Sequence, residues 1–376
     1  MNAPDPTTST PARPGSVQVS EQDELPIDTG SRIQRQLAVF ALLVILGIAA
    51  VMASLSWSSV SIPVEQVVTI LLGGEAEKRS WQTIVMDIRL PRVLTAMLVG
   101  TALGLAGLQM QTVFRNPLAS PFTLGVSSGA SLGVALVILV SPTSAGVFSG
   151  VGGNFFTNLG TVAGAALGAA AVLSVMLIVA SRVRDMVVVL LLGVVMASLI
   201  GAIVTILIFF ANEQETREFV EWGLGSFTRV RWGEMPYMSS SIGIALILAV
   251  LTIKPLNALL LGDNYAQSMG LNVKWARVVI MGSASLMAGA VVAYAGPIGF
   301  LGIAIPHIAR GVFGTSDHRI LVPGSILVGV AIALACGILA ELPNSSLNLP
   351  INAATALFGG PVAIWVLLKA RRGFAL

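Results

Sequence analysis

Charge is what this sequence has least of. Only 10% of its 376 residues are Asp, Glu, Lys or Arg, against roughly 25% in a soluble globular chain. With 55% hydrophobic residues and a mean hydropathy of +0.88, the composition excludes a soluble fold and implies a polytopic, all-α membrane protein. Cys336 is the only cysteine and lies in an apolar run, so an intramolecular disulfide is excluded. The sequence has no Gly-Lys dipeptide and therefore no phosphate-binding P-loop. The net charge of +3 is unevenly spread, which speaks to membrane orientation and not to nucleic acid.

A second scarcity is more specific. Nine long apolar runs, near 36–57, 91–114, 122–140, 158–181, 186–211, 237–253, 277–296, 320–340 and 350–368, hold no Asp, Glu, Lys or Arg in their bodies. Each has the length a bilayer crossing needs, roughly 20 residues. Proton- and sodium-coupled carriers usually keep ionisable groups at that depth, because coupling needs something that binds the ion. His307 is the one titratable residue there, near an inner end and close to Arg310, which suits an interfacial position better than a proton relay. If nucleotide hydrolysis drives this protein, the ATPase is a separate chain.

Parity shows that nine runs are one too few. Arg115, Arg182/Arg184, Lys254/Lys274/Arg277, Arg310/Arg319 and Lys369/Arg371/Arg372 all belong on the cytoplasmic side by the positive-inside tendency. Returning from Arg277 to Arg310 on one side takes two crossings. The second must be 298–312, a short run broken by Gly296-Pro297 and Pro306. Ten spans with cytoplasmic termini follow, with 14 of the 21 basic residues inside and 7 outside. Trp57, Trp81, Trp222 and Trp232 then fall at the outer interface, and Trp275 and Trp365 at the inner one. Residues 1–32, rich in Pro, Ser, Thr and acids, read as a disordered cytoplasmic tail, and 33–376 as one transmembrane domain. The outer loop 212–236 contains EFVEWGLGSF, expected as a short interfacial helix with a solvated acidic face. Gly100/Gly104, Gly125/Gly129/Gly133 and Gly160/Gly164/Gly168 form small-xxx-small ladders that let helix backbones approach.

Between two apolar runs, residues 254–277 read as a small capped helix in water. Asp263 is expected to accept from the first free amides as an N-cap, and Gly270 to supply a left-handed C-cap. Tyr265, Ala266 and Met269 would share one apolar side. An isolated helix this short is unstable, so something must hold it. Two readings are open: a loop resting on its own membrane domain, or a knob presented to a soluble partner.

Three stretches carry a resemblance. Arg89-Leu90-Pro91-Arg92 leads into GTALGLAGLQMQTVFRNPLASPFTLGVSSGASLG at 100–133; LGDNYAQSMGL forms the knob; AGPIGFLGIAIPHIARGVFGTSDHR spans 295–319. Together, and in this order, they resemble the permease subunits of ABC importers for ferric siderophores, haem and cobalamin, from about residue 33 to the C-terminus. The resemblance implies a permease dimer, of identical or homologous chains, in the cytoplasmic membrane. It also implies two cytoplasmic ATP-binding subunits and an extracytoplasmic substrate-binding protein, with no catalytic residue, cofactor or metal in this chain. It implies ten spans, with the second to fifth and seventh to tenth related as inverted halves.

Residue by residue, Gly262, Asp263, Ala266, Met269 and Gly270 are then the helix that couples to the ATPase. Arg89 and Arg92, on one helical face at the outer mouth, would pair with glutamates of the binding protein; anchoring to lipid headgroups is the plainer reading. Asn116, Leu118, Met186 and Val187 would form the cytoplasmic gate, although Asn116-Pro117 is also an ordinary helix stop. The chain departs from some relatives at Glu341, where they carry an arginine, and at Asn348-Leu349-Pro350, where Glu-Leu-Pro is usual. A ferric siderophore is the expected cargo, with haem or cobalamin as alternatives inside the family. An ion-coupled secondary carrier and a membrane-embedded sensor or structural subunit are the readings outside it. The pathway wall is expected to be inert, without a deep specific pocket.

Overall fold

The computed structural model of the chain describes residues 29–58, 60–139, 154–183, 185–341 and 349–373. The expected tail up to residue 28, most of the loop after 139, Arg184 and Asn348 lie outside them. Every regular element is a helix: α1 (Thr29–Ser56), α2 (Val64–Leu71), α3 (Arg79–Phe114), α4 (Val126–Leu139), α5 (Asn154–Arg182), α6 (Met186–Phe210) and α7 (Glu213–Gly223). Then follow α8 (Met235–Leu251), α9 (Ile253–Leu260), α10 (Asp263–Ser268), α11 (Val273–Ala295), α12 (Leu301–Phe313), α13 (His318–Ala340) and α14 (Ile351–Gly373).

Six of these helices, α1, α3, α5, α6, α11 and α13, are each long and apolar enough to cross a bilayer. Helices α8 and α9 pass the same test together but bend by 50° at Thr252. The shorter α4, α12 and α14 are apolar too, and every run expected from the sequence coincides with one of these helices. Two boundaries differ from expectation. Helix α1 starts at Thr29, a turn ahead of the expected domain start. The segment 254–277 is not a loop holding one helix: α9 already occupies its first part, with Pro255 in the first turn, where a missing N–H costs nothing.

Helix α3 is the axis of the bundle. It enters through a π-helical turn at Ile84–Arg89, and from Ala102 to Phe114 every residue is buried. A helix without a lipid-facing side must be packed all round, and glycine makes the close approaches. A β-carbon on Gly100 would collide with the Gly329 carbonyl of α13, and one on Gly107 with the Gly302 carbonyl of α12. Helices α4 and α5 interlock likewise through Gly129 against Gly168 and Gly133 against Gly164. Gly160, expected in that ladder, stands looser: a β-carbon there would meet only Val137, at 3.7 Å.

Contacts between helices repeat. If α3, α4, α5 and α6 are matched with α11, α12, α13 and α14, three pairings in the first set have counterparts in the second. α4–α5 corresponds to α12–α13, α4–α6 to α12–α14, and α5–α6 to α13–α14. Across the halves, α3–α13 corresponds to α11–α5, and α3–α12 to α11–α4. The two halves of the chain therefore build one packing scheme twice.

The glycine contacts give a direct test. Gly133→Val should prise α4 from α5 and sharply reduce the yield of monodisperse protein in detergent. Gly201→Ala, whose β-carbon meets nothing within 4 Å, should leave it unchanged. Equal behaviour of the two would mean that α4 and α5 do not interlock.

Candidate functional site

The face of the bundle expected on the cytoplasmic side is built around α10. Gly262 (φ 114°) is the residue before the helix, in a conformation that only glycine adopts easily, and Asp263 is the first helical residue. The expected N-cap is therefore corrected: the Asp263 side chain makes no capping bond. Its carboxylate instead holds two arginines, Arg115 at 2.8 Å and Arg277 at 2.6 Å. The C-terminus is as expected. Gly270 is left-handed (φ 83°), its N–H donates to the Gln267 carbonyl at 2.9 Å, and the Leu271 N–H donates to that of Ala266 at 3.0 Å. This is a Schellman closure.

Tyr265, Ala266 and Met269 do not act alike. Ala266 is fully buried, where α10 packs against α9 and α11, while Tyr265 and Met269 are 52% and 62% exposed. Ala266 therefore seats the helix on its own chain, and Tyr265 and Met269 are the apolar groups it offers outward. A cleft of about 370 Å³ opens beside the knob, lined by Ser181, Asn264, Gln267 and Lys274 among others.

Arg115 closes α3 in a left-handed conformation (φ 46°) and is followed at once by Asn116. Asn116 Oδ1 accepts the Leu118 N–H at 2.9 Å, turning the chain away from the helix. Helix α6 starts opposite, its first N–H groups capped by Asp185, which accepts from Val187 at 2.8 Å. Between them lies a cleft of about 280 Å³ lined by Phe114, Arg115, Asn116, Pro117, Met186, Val187 and Leu190. Three of the four expected gate residues meet there. Leu118 is half-buried and does not line it.

Reasoning from charge alone missed a polar hub on the inner half of α3. Gln109 donates to Thr252 Oγ1 and Ser283 Oγ, both at 3.3 Å, at the bend between α8 and α9. Gln111 donates to the Ile303 carbonyl at 3.3 Å and accepts from Arg310. The Thr112 hydroxyl meets His318 Nε2 at 2.9 Å, and His318 Nδ1 donates to Asn257 Oδ1 at 2.7 Å. His307 Nε2 donates to the Pro117 carbonyl at 2.9 Å, which joins α12 to the turn after α3. The signal lay in Gln109, Gln111 and Thr112, three polar side chains in an otherwise apolar run.

Asp317, just ahead of α13, completes the hub by accepting from Asn257 Nδ2 at 2.7 Å. Burial pushes its carboxyl up. Donation from the Arg319 N–H and from Asn257, with the charges of Arg319 and His318 nearby, outweighs that and holds it below the usual carboxylate value.

At the outer mouth the two expected docking arginines differ. Arg89 is only 3% exposed, and its guanidinium donates to the carbonyls of Leu55, Ser56 and Val60 at the end of α1. It staples α3 to the end of α1, so the guanidinium expected to dock is spent on the protein's own backbone carbonyls. The π-turn ends at Arg89 and the chain from Leu90 on is α-helical, so the two arginines stay about one turn apart, yet their side chains take different partners. Arg92 is ion-paired with Glu341, which also accepts from Ser58 Oγ at 2.8 Å. A cavity of about 80 Å³ beside this pair is lined by Ser226, Phe227, Thr228 and Ile351 among others. Among the described residues, no group of three or more His, Cys, Asp or Glu side chains is placed to hold a metal ion.

Comparison with known proteins places this architecture. The profile of the FecCD transport family matches residues 42–369. The hemin transport system permease protein HmuU of Yersinia pestis is 36% identical over 291 residues, covering 76% of this chain and 83% of that protein. The vitamin B12 import system permease protein BtuC of Escherichia coli O9:H4 (strain HS) is 38% identical over 295 residues, covering 77% and 85%. A solved structure described as an inward-facing conformation of a metal-chelate type ABC transporter superposes with a TM-score of 0.75 at 26% identity, over 89% of this chain and 99% of its own.

The arginine assignments can be checked by stability. Arg89→Ala strands the carbonyls of Leu55 and Ser56 in a buried place and loses that of Val60, and should cost on the order of 3 kcal/mol. Arg92→Ala, at an ion pair whose side chains are only 17% and 14% exposed, leaves Glu341 without its charge partner and should cost on the order of 2–3 kcal/mol. Thermal unfolding of the solubilised protein reads both; an Arg89→Ala variant as stable as the parent would return Arg89 to the surface.

Proposed function

This chain is a member of the FecCD transport family, the permease subunits of ABC importers and not enzymes. From that premise we propose that it carries a ferric chelate of the siderophore class across the cytoplasmic membrane. In this reading it crosses ten times with both termini inside and forms a permease pair. Two ATP-hydrolysing subunits drive it, and an extracytoplasmic binding protein delivers the cargo to the outer mouth.

One observation carries the reading: Asp263 ties the knob to the end of α3 through Arg115, beside the cleft formed by Asn116, Met186 and Val187. Tyr265 and Met269 offer the ATPase an apolar grip, and the Ala266 seat makes α10 move with α9 and α11. Displacement of α10 pulls on Arg115, and Arg115 is the residue before the gate turn. Arg277 is the anchor of the pair, being far less exposed than Arg115. The Arg115–Asp263 pair is too exposed to add much stability, so its value is positional. Met186 and Val187 close the inner cleft by packing and dewetting.

At the outer mouth, Arg92 reaches the binding protein while paired to Glu341, so docking there is weaker in charge than in relatives with a third arginine. Haem or cobalamin is the second reading of the cargo, favoured by the names of the Yersinia and Escherichia relatives.

Uptake of labelled ferric siderophore, haem and cobalamin, in a deletion strain with and without this gene, decides the cargo. Loss and rescue of ferric siderophore alone is the expected result; rescue of haem or cobalamin alone replaces it. In the rescued strain, Asp263→Asn should lower uptake at least tenfold while ATP hydrolysis by the assembled transporter continues. Unchanged uptake would mean that the Asp263–Arg115 link does not transmit the stroke.

A further inference from the structure

The chain enters α4 and α12, counterparts in the repeated packing scheme, in similar ways. A left-handed residue stands immediately before each helix: Gly125 (φ 78°) before α4, and Phe300 (φ 65°) before α12. A β-carbon crowds the neighbouring carbonyl in this region, so glycine is the default and a bulky aromatic is an outlier. Such a conformation persists only where the surroundings impose it. Around Phe300 they do. Asn352 Oδ1 accepts the Gly299 N–H at 3.1 Å, Ile298 is fully buried, and a β-carbon on Gly359 of α14 would strike the Phe300 Cβ. The backbone is clamped, yet 40% of the residue is exposed. The molecule holds an aromatic ring rigidly at a place where it contributes little to its own core.

The repeat indicates what the ring faces. In the first half, the residue entering α4 lies against α6 at Gly193, one turn from Leu190, and Leu190 lines the inner cleft with Met186 and Val187. In the second half, the residue entering α12 lies against α14 at Gly359. The corresponding wall near the other membrane surface is therefore made by the start of α12 and by α14. Glycine at the inner position leaves that wall smooth, and phenylalanine at the outer one puts a ring on it.

We propose that Phe300 forms an outer constriction of the translocation pathway, an apolar ring against which the chelate passes before it reaches the inner cleft. The proposal rests on the importer reading above and adds a residue that touches the cargo.

Thiol accessibility tests it without knowledge of the cargo. In a Cys336→Ser chain assembled with its ATPase and binding protein, Phe300→Cys should react with a membrane-impermeant maleimide added from outside. Its rate should change several-fold when a non-hydrolysable ATP analogue is bound. Labelling only by a lipid-soluble maleimide would put the ring in lipid, and labelling by neither would put it in packed protein; both overturn the proposal.

A second pair of variants separates pathway from packing. Phe300→Gly removes ring and strain together, so its Tm should equal or exceed that of the parent, while ferric siderophore uptake per folded molecule changes several-fold. Phe300→Ala keeps the strained backbone and should unfold below Phe300→Gly. Equal losses of Tm in both, with uptake following the amount of folded protein, would make the ring a packing element. If the parent chain restores no uptake the importer reading fails, whereas parental uptake with an unaltered Phe300→Gly rate defeats this proposal alone.

Discussion

A glutamine in a lipid-bounded bundle has no water to bond, and α3 carries two within three residues. Each amide must find partners on neighbouring helices or pay its full desolvation cost. Gln109 finds them at the bend of α8–α9 and on α11, and Gln111 finds them on α12. Thr112 reaches α13 through His318, which reaches α9 through Asn257. Five helices are thereby placed in relation to the inner half of one buried helix. This is more specific than apolar packing, because a hydrogen bond fails over a fraction of an ångström where a methyl contact only weakens.

The two ends of α3 are finished differently. Outside, Arg89 is sunk into carbonyls of α1, and Arg92 is neutralised by Glu341, so that end is rigid. Inside, Arg115 is largely exposed, left-handed, and holds Asp263 of the short knob. A mechanical link between knob and gate suits the second arrangement: the pair is strong enough to keep register and weak enough in water to be repositioned. The repeated packing scheme adds a contrast at the helix entries, where glycine at the inner side is answered by a strained phenylalanine at the outer side.

Much of this was legible in the sequence, for definite reasons. A bilayer crossing needs a run of fixed length and low charge, so ten helical segments could be counted from hydropathy and basic residues, including the broken one at 298–312. Gly270 as a left-handed cap and Gly129, Gly133, Gly164 and Gly168 as contact points follow from local backbone rules. So does the absence of a phosphate-binding loop, which needs a local Gly-Lys motif that the sequence lacks. Three motifs in order pointed to the family.

What could not be read was which polar group meets which. Asp263 at the start of a helix is a good N-cap by local rules, but two arginines that are 148 and 14 residues away in the chain take its carboxylate. Arg89 and Arg92 are indistinguishable by spacing, but three backbone carbonyls take the first and Glu341 takes the second. Ala266 reads as contact surface until the packing against α9 and α11 buries it. The sequence by itself determined the apolar helical segments and their order, because those depend on residues close in the chain. Only the tertiary structure decided the roles of the polar side chains, because a buried donor or charge settles on whichever partner the packing of distant helices brings within about 3 Å.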